Sequence, residues 1–158
     1  MCTSSLARTH IRSIIIFMLT STSRRAKQKS TVTFGRHLTI DAYGCAYDAL
    51  NNMDTVFALL DELPGKIAMH KITTPYVIRC LPNNIKDCGG ISGFVMIAES
   101  HISIHTFPAK QYLTMDLYSC NMFDEKKVLS IVKSAFGYRV LEKHIIKRGL
   151  KFPKENLL

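Results

Sequence analysis

The chain has 158 residues, 47% hydrophobic and 21% charged, which is typical of one globular domain and excludes a fibrous or largely disordered protein. Its formal net charge of +9 comes mainly from residues 1–30, which contain six of the 21 Lys and Arg and no Asp or Glu. Because residues 31–158 contain 15 basic and 12 acidic residues, we expect no nucleic-acid partner.

The cysteine pattern indicates the redox state of the protein. The number of cysteines is odd, and no two of them form a CxxC pair: Cys2, Cys45, Cys80, Cys88 and Cys120. Disulfide frameworks use even numbers of cysteines, and structural zinc sites use closely spaced pairs. We therefore predict reduced thiols, a cytoplasmic location and no metal ion, with one thiol available for a chemical role.

The N-terminal stretch has a short apolar run at residues 14–19. A helix needs about 20 apolar residues to cross a bilayer, and no small-residue cleavage site follows the run. We expect residues 1–30 to be a basic extension that is disordered or wrongly assigned to the protein, with Met18 as an equally good start that leaves a short lead-in, and we expect no membrane partner. The folded part is then a single domain over residues 31–158. An anchoring role for the extension is a weaker alternative.

Regular elements are predicted after the basic stretch. Residues 33–42 alternate apolar and polar side chains, as a half-buried strand does, and residues 43–45 turn the chain. Asn51 or Asn52 can cap the helix that follows. Its apolar side chains repeat at helical spacing until Pro64-Gly65, which we expect to end it.

The middle of the chain predicts β-structure. Residues 66–81 are rich in Ile, Thr, Tyr and Val and predict a long strand or a bent pair of strands, with Pro75 at an edge or a bulge. A polar loop follows over residues 82–90. Residues 91–98 predict a mostly apolar strand.

The next strand holds the densest group of proton-transfer side chains in the sequence. Two isoleucines point to one face of residues 100–107. The opposite face carries three such groups: His101, Ser103 and His105. Ser100 opens the row directly after Glu99, and Pro108 closes it.

The C-terminal part predicts a strand, a helix and a strand. The first strand, at residues 112–120, places three side chains on one face: Asp116, Tyr118 and Cys120. A helix begins near Asp124 and ends at Gly137. Its predicted buried stripe is Val128, Ile131, Val132 and Ala135. Residues 138–147 predict a last strand, and a polar tail begins at Lys151.

The order of these elements predicts the fold class. Two related β-α-β halves would form one antiparallel sheet with both helices on one face, an α+β fold. Because the other face of the sheet would be uncovered, we expect a second subunit to cover it. The result would be a homodimer built as an α/β/β/α sandwich.

Four stretches together resemble the short prokaryotic S-adenosylmethionine decarboxylase family. They are residues 35–45, the Ser92-Gly93 pair, residues 97–108 and residues 116–120. The resemblance covers roughly residues 33–147. Its most specific feature is a Glu-Ser-His block with a cysteine 20 residues after the serine.

The resemblance implies a proenzyme that cuts itself between Glu99 and Ser100. Attack by the Ser100 hydroxyl on the Glu99 carbonyl would give an ester. β-Elimination and loss of ammonia would then convert the serine into a pyruvoyl group. The products would be a β chain, residues 1–99, and an α chain, residues 100–158. By position, His105 and Ser92 match residues that the family uses for processing.

The resemblance also implies the reaction of the processed enzyme. The pyruvoyl group derived from Ser100 would form a Schiff base with the α-amine of S-adenosylmethionine and accept the electrons left when carbon dioxide departs. Cys120 matches the family's catalytic thiol and would donate the proton, and His105 would assist. The product would serve spermidine biosynthesis.

Two departures from the family pattern leave substrate-binding residues unassigned. Ala109 stands where the family usually has a Glu that holds the ribose hydroxyls, and the loop at residues 86–90 lacks the usual aromatic side chain. Tyr76 or Phe107 would be possible substitutes for that aromatic. Decarboxylation of arginine or ornithine on the same scaffold therefore remains an alternative, and a catalytically inactive regulatory subunit is a more distant one.

Overall fold

The computed structural model of the protein describes residues 33–153, so the predicted basic extension and the end of the predicted polar tail lie outside it. Within this range the chain forms six strands and three α-helices. They are β1 Gly35–Tyr43, α1 Tyr47–Leu50, α2 Met53–Lys66, β2 Tyr76–Cys80, β3 Gly90–Ile97, β4 Ser100–Phe107, β5 Tyr112–Ser119, α3 Glu125–Phe136 and β6 Val140–Arg148. A single 3-10 turn, Pro108–Lys110, joins β4 to β5.

The described strands form one sheet with the order β2-β3-β4-β5-β1-β6, and every neighbouring pair is antiparallel. β1 is therefore inserted between β5 and β6. Both longer helices connect strands that run parallel to each other: α2 leads from β1 to β2, and α3 leads from β5 to β6. The two predicted β-α-β units are present, although three strands separate the first pair and one separates the second. The α+β prediction is confirmed.

The core lies between one face of the sheet and the helices α2 and α3. Alternate residues of the central strands point into it, as the two-residue period of a strand requires. The fully buried sheet residues include Leu38, Ile40, Ala42, Val95, Ile102, Ile104, Leu113, Met115 and Leu117. The helices cover them with Val56, Leu60, Leu63, Val128, Val132 and Phe136.

The helix ends follow the capping signals of the sequence. The side-chain oxygen of Asn52 accepts hydrogen bonds from the N–H groups of Asp54 and Thr55, at 2.8 and 3.2 Å. Asp124 caps α3 by accepting from the N–H of Lys127 at 3.2 Å. Gly137 ends α3 with φ +64°, a left-handed conformation that glycine adopts without strain.

The prediction of strand structure over residues 66–81 was wrong for most of its length. Only Tyr76–Cys80 forms a strand, and it is an edge strand as Pro75 indicated. Helix α2 also continues through Pro64-Gly65 to Lys66, because the Pro64 carbonyl still accepts hydrogen bonds from Ile67 and Met69, at 3.1 and 2.9 Å. The intervening residues are irregular apart from one isolated bridge to β3.

Candidate active site

The site is built on the hairpin of β3 and β4. Ile97 pairs with Ser100 across the turn formed by Ala98 and Glu99. Along β4, Ile102 and Ile104 are fully buried, as predicted. The opposite, outer face of the sheet carries the remaining side chains of the row: His101, Ser103 and His105.

The backbone at the predicted cleavage point is strained. Ser100 has φ +151°, in a region that residues with a side chain rarely adopt. Such a conformation costs about 1–3 kcal/mol and persists only where the surrounding structure enforces it. The strain lies at the bond from the Ser100 nitrogen to its α-carbon, next to the peptide bond that joins Glu99 to Ser100.

Glu99 is held from two sides. Its backbone carbonyl accepts a hydrogen bond of 3.0 Å from the backbone N–H of Cys120. Its side chain, 6% exposed, accepts from the backbone N–H of His70 at 3.2 Å and contacts His70 Nδ1 at 3.0 Å. The hydrogen bond from the His70 side chain is the main reason that the pKa of the Glu99 carboxyl lies below its usual value.

The histidine in contact with the Ser100 hydroxyl is its neighbour. Ser100 Oγ lies 3.1 Å from His101 Nδ1. The His101 ring also stands edge-on to the Tyr118 ring, with centroids 6.0 Å apart. The motif match assigns processing to His105 and not to His101, although the direct adjacency of His101 to Ser100 is visible in the sequence.

His105 lies at the other end of the hairpin. Its Nδ1 is 2.8 Å from Ser92 Oγ, and the Cys80 thiol donates to the same hydroxyl at 3.2 Å. His105 follows Ser100 by five residues along an extended strand, a distance of about 16 Å at 3.3 Å per residue. The structure therefore brings His105 together with Ser92, and does not bring either of them to Ser100 of the same chain.

Cys120 follows the end of β5 and is exposed. Ser100 pairs with Ser119 across β4 and β5, so Cys120 lies one residue beyond the cross-strand partner of Ser100. The structure thus brings together Glu99, Ser100 and Cys120, as the sequence predicted for the reacting part of the site.

A polar cluster lies beside this point on β1, β5 and β6. Asp116 Oδ1 is 2.8 Å from His37 Nε2, and Arg148 lies 3.3 Å from the other nitrogen of the same ring. The Arg148 guanidinium also stands over the Tyr118 ring, 4.8 Å from its centroid. Asp116 and Tyr118 share a face because they lie two residues apart on β5, and the Tyr118 ring connects this cluster to His101.

Two cavities of about 250 Å³ border the hairpin, one on its outer face and one at its end beside α1. The first is lined by Tyr76, Ile78, Ser92, Gly93, Phe94, Ser103 and His105. The second contains Ala109, together with Arg79, Cys80 and Gly90. Phe107 lines a different cavity of about 320 Å³ beside the loop at residues 86–90, where it stacks on Tyr112 with centroids 5.5 Å apart. Of the two aromatic side chains considered from the sequence, Tyr76 is the one that lines a cavity with His105.

Within residues 33–153, no three His, Cys, Asp or Glu side chains are grouped so that they could hold a metal ion. Among these same residues, no helix is both long and apolar enough to cross a membrane. Four thiols in the described range are unpaired: Cys45, Cys80, Cys88 and Cys120.

Comparison with known proteins identifies the family. The sequence pattern of the family described as "S-adenosylmethionine decarboxylase" matches residues 36–149. An S-adenosylmethionine decarboxylase proenzyme of Clostridium botulinum is 33% identical over 116 residues, which cover 73% of this chain and 94% of that protein. One of Thermococcus gammatolerans is 32% identical over 120 residues, covering 75% of this chain and 79% of that protein.

A solved structure agrees with these relatives. The adenosylmethionine decarboxylase of Aquifex aeolicus superposes with a TM-score of 0.62 at 27% identity, covering 74% of this chain and 92% of that one. Nothing in these matches favours the arginine or ornithine alternative. The resemblance found in the motifs is confirmed, and the chain belongs to the S-adenosylmethionine decarboxylase family.

Proposed function

We propose that the chain is an S-adenosylmethionine decarboxylase made as a proenzyme, which cuts itself between Glu99 and Ser100 and acts in polyamine synthesis. The observation that carries this proposal is the surroundings of the peptide bond between Glu99 and Ser100. Its carbonyl is held by the Cys120 N–H, its following residue is strained, and the hydroxyl of that residue touches a histidine. The relatives named above are proenzymes.

The contacts support a specific course for the cut. Ser100 Oγ attacks the Glu99 carbonyl carbon while His101 Nδ1 accepts the hydroxyl proton. The negative charge that develops on the carbonyl oxygen is stabilised by the Cys120 N–H. The carbon–nitrogen bond then breaks, the nitrogen of Ser100 takes up the proton, and an ester joins Glu99 to Ser100. Relief of the strained φ at Ser100 favours this step.

The ester then decomposes to two chains. Removal of the Ser100 α-proton breaks the bond between its β-carbon and the ester oxygen, which releases Glu99 as a free carboxylate. The remaining dehydroalanine rearranges to an imine, and water replaces its nitrogen, which leaves as ammonia. The new N-terminal residue of the α chain is a pyruvoyl group.

The residues around Ser100 fit a pyruvoyl group. It would begin β4, beside the pair of Ser100 with Ser119, and the exposed Cys120 follows that pair. The pyruvoyl group supplies an acceptor for the electrons left when carbon dioxide departs. The Cys120 thiol then donates a proton to the α-carbon of the substrate.

We also propose a homodimer in which the outer faces of two sheets meet, as an α/β/β/α sandwich. The outer face exposes large apolar side chains near β2 and β3: Tyr76, Ile78, Phe94 and Met96, each 45–56% exposed. Such a patch favours association. The pair of Ser92 and His105 cannot reach Ser100 of its own chain, so a role in processing requires that it act on the partner's Ser100. The four unpaired thiols support a cytoplasmic location.

Intact-mass measurement tests the central proposal. Two fragments that meet at Glu99 and Ser100, the second with the mass of a pyruvoyl group, are expected from the purified protein. S100A should remain one full-length chain. The purified protein should then release carbon dioxide from S-adenosylmethionine. Release of carbon dioxide from arginine or ornithine alone would overturn the assignment of the substrate. A folded but uncut wild-type chain would overturn the proposed mechanism.

A further inference from the structure

We propose that His70 is a positioning residue for self-cleavage, because it holds the acyl side of the bond that is cut. This inference rests on the proposed function. His70 makes three contacts with the two residues before the cut. Its backbone N–H and its Nδ1 hold the Glu99 carboxylate, at 3.2 and 3.0 Å. Its carbonyl accepts from the backbone N–H of Ala98 at 2.8 Å.

The burial of Glu99 explains why these contacts matter. The Glu99 side chain is 6% exposed, whereas the His70 side chain is 83% exposed. A carboxylate that is removed from water needs hydrogen-bond donors in its place, and His70 supplies both of them. The neighbouring Lys71 does not compete for this role, because its ammonium group pairs with Asp61 of α2.

Loss of the His70 imidazole would therefore leave a buried carboxylate with one donor in place of two. The carboxylate would be expected to turn toward water, and the backbone of Glu99 would move with it. The carbonyl that must lie against the Cys120 N–H belongs to the same residue. A change at His70 thus displaces the atom that Ser100 attacks, without touching Ser100, His101 or Cys120.

The segment that carries His70 is fixed to the hairpin. After α2, Ala68 adopts φ +59° and redirects the chain toward β3. Lys71 then forms a β-bridge with Ile97, and the N–H of Ile72 donates to the Met96 carbonyl at 3.1 Å. These bonds place the irregular segment after α2, and with it His70, next to the cleavage point.

The experiment measures cleavage of newly synthesised full-length chain by intact mass over time. A misplacement of about 1 Å can cost up to about a hundredfold in rate, so H70A should be cut about ten- to a hundredfold more slowly than wild type. H70N keeps a side-chain donor and should recover part of the loss. K71A alters the next residue without touching Glu99 and should be cut at the wild-type rate.

A second pair of variants tests whether His70 acts through Glu99. If it does, H70A/E99Q should be cut no more slowly than H70A, since the contact is already absent. H70A/S100A should unfold cooperatively, as S100A does. Cleavage of H70A at the wild-type rate, no recovery in H70N, additive losses in H70A/E99Q, or loss of cooperative unfolding would each overturn the positioning role. An uncut wild-type chain would instead overturn the proposed function.

Discussion

The backbone N–H of Cys120 donates a 3.0 Å hydrogen bond to the carbonyl oxygen of Glu99. This bond connects the end of β5 to the turn that precedes β4. Cys120 thus contributes to two reactions through two different groups: its N–H to the cut and its thiol to the later proton transfer. Since one belongs to the backbone and the other to the side chain, substitution can separate them.

Two variants of Cys120 should differ in the cut, although neither of them keeps the thiol. C120A keeps the N–H, so it should be cut at close to the wild-type rate but should lose decarboxylation. C120P lacks the N–H, and the loss of one such donor should slow the cut by about 10²–10³-fold. Time-resolved intact mass and carbon dioxide release measure the two reactions. Equal cleavage of C120P and C120A would show that the N–H plays no part.

The pair of Ser92 and His105 predicts complementation between two inactive chains. S100A cannot be cut but can supply His105, and H105A cannot supply it but retains Ser100. Co-expression of the two, with tags of different mass, should restore cutting of the H105A chain in mixed dimers. The control partner is S100A/H105A, which should restore nothing. If the H105A chain is cut at the wild-type rate by itself, the pair of Ser92 and His105 plays no part in processing.

Gly90 is predicted to be a position that admits no side chain. A β-carbon there would lie 1.9 Å from the backbone oxygen of Thr106, so β3 and β4 would have to separate. G90A should lower the free energy of unfolding by about 3 kcal/mol or more. Gly65 in α2 is the matched control, because a β-carbon there meets nothing within 4 Å. G65A should be more stable than the parent by about 0.5–1 kcal/mol. Urea unfolding in the uncut S100A background measures both.

The raised pKa of Tyr112 predicts that the folded protein loses stability in alkaline solution. Burial, followed by its hydrogen bond to the Asp41 carboxylate, raises the pKa of the Tyr112 phenol from 10.0 to about 12. The folded protein therefore keeps this proton while the unfolded chain releases it. The resulting stabilisation is complete below pH 10 and is lost as the pH rises toward 12. Urea unfolding of S100A should show this decline, and Y112F/S100A should show a shallower one. Parallel declines would contradict the assignment.

Local patterns in the sequence predicted most of the elements, for physical reasons that are themselves local. The two-residue alternation of β4 depends only on neighbouring side chains, and the capping groups of Asn52 and Asp124 act within one helical turn. The segment after Lys66 could not be predicted in this way. Its Ile and Thr residues favour a strand, but the hydrogen bonds of Ile72 and Thr73 are made to Met96 of β3, which is distant in the sequence. Likewise, no local pattern of the sequence predicts that β1 is inserted between β5 and β6.

The candidate site shows the same division. Glu99, Ser100 and Cys120 were predicted because a specific motif contains all three. His70 was not predicted, because its contact with Glu99 depends on the path of an irregular segment. His105 follows Ser100 by five residues in an extended strand, which separates the two by about 16 Å. The rise of a strand alone therefore predicts that His105 does not reach Ser100 of its own chain.

The insertion of β1 between β5 and β6 would hold the two fragments of the processed protein together. A cut after Glu99 would assign β1, β2 and β3 to one fragment and β4, β5 and β6 to the other. Because β1 pairs with both β5 and β6, and β3 pairs with β4, the two fragments would share one interleaved sheet. Neither fragment could leave without breaking strand pairs and opening the common core.

Unfolding of the processed protein would then separate the two fragments of each protomer as well as the two protomers, so its midpoint would depend more steeply on protein concentration than that of the uncut chain. Reassembly would require two separate chains to meet with their strand edges exposed, a situation that favours aggregation. The covalent link between Glu99 and Ser100 is therefore needed to build the sheet and is dispensable afterwards. An enzyme of this design would be long-lived once matured, yet it would not recover from a single complete unfolding.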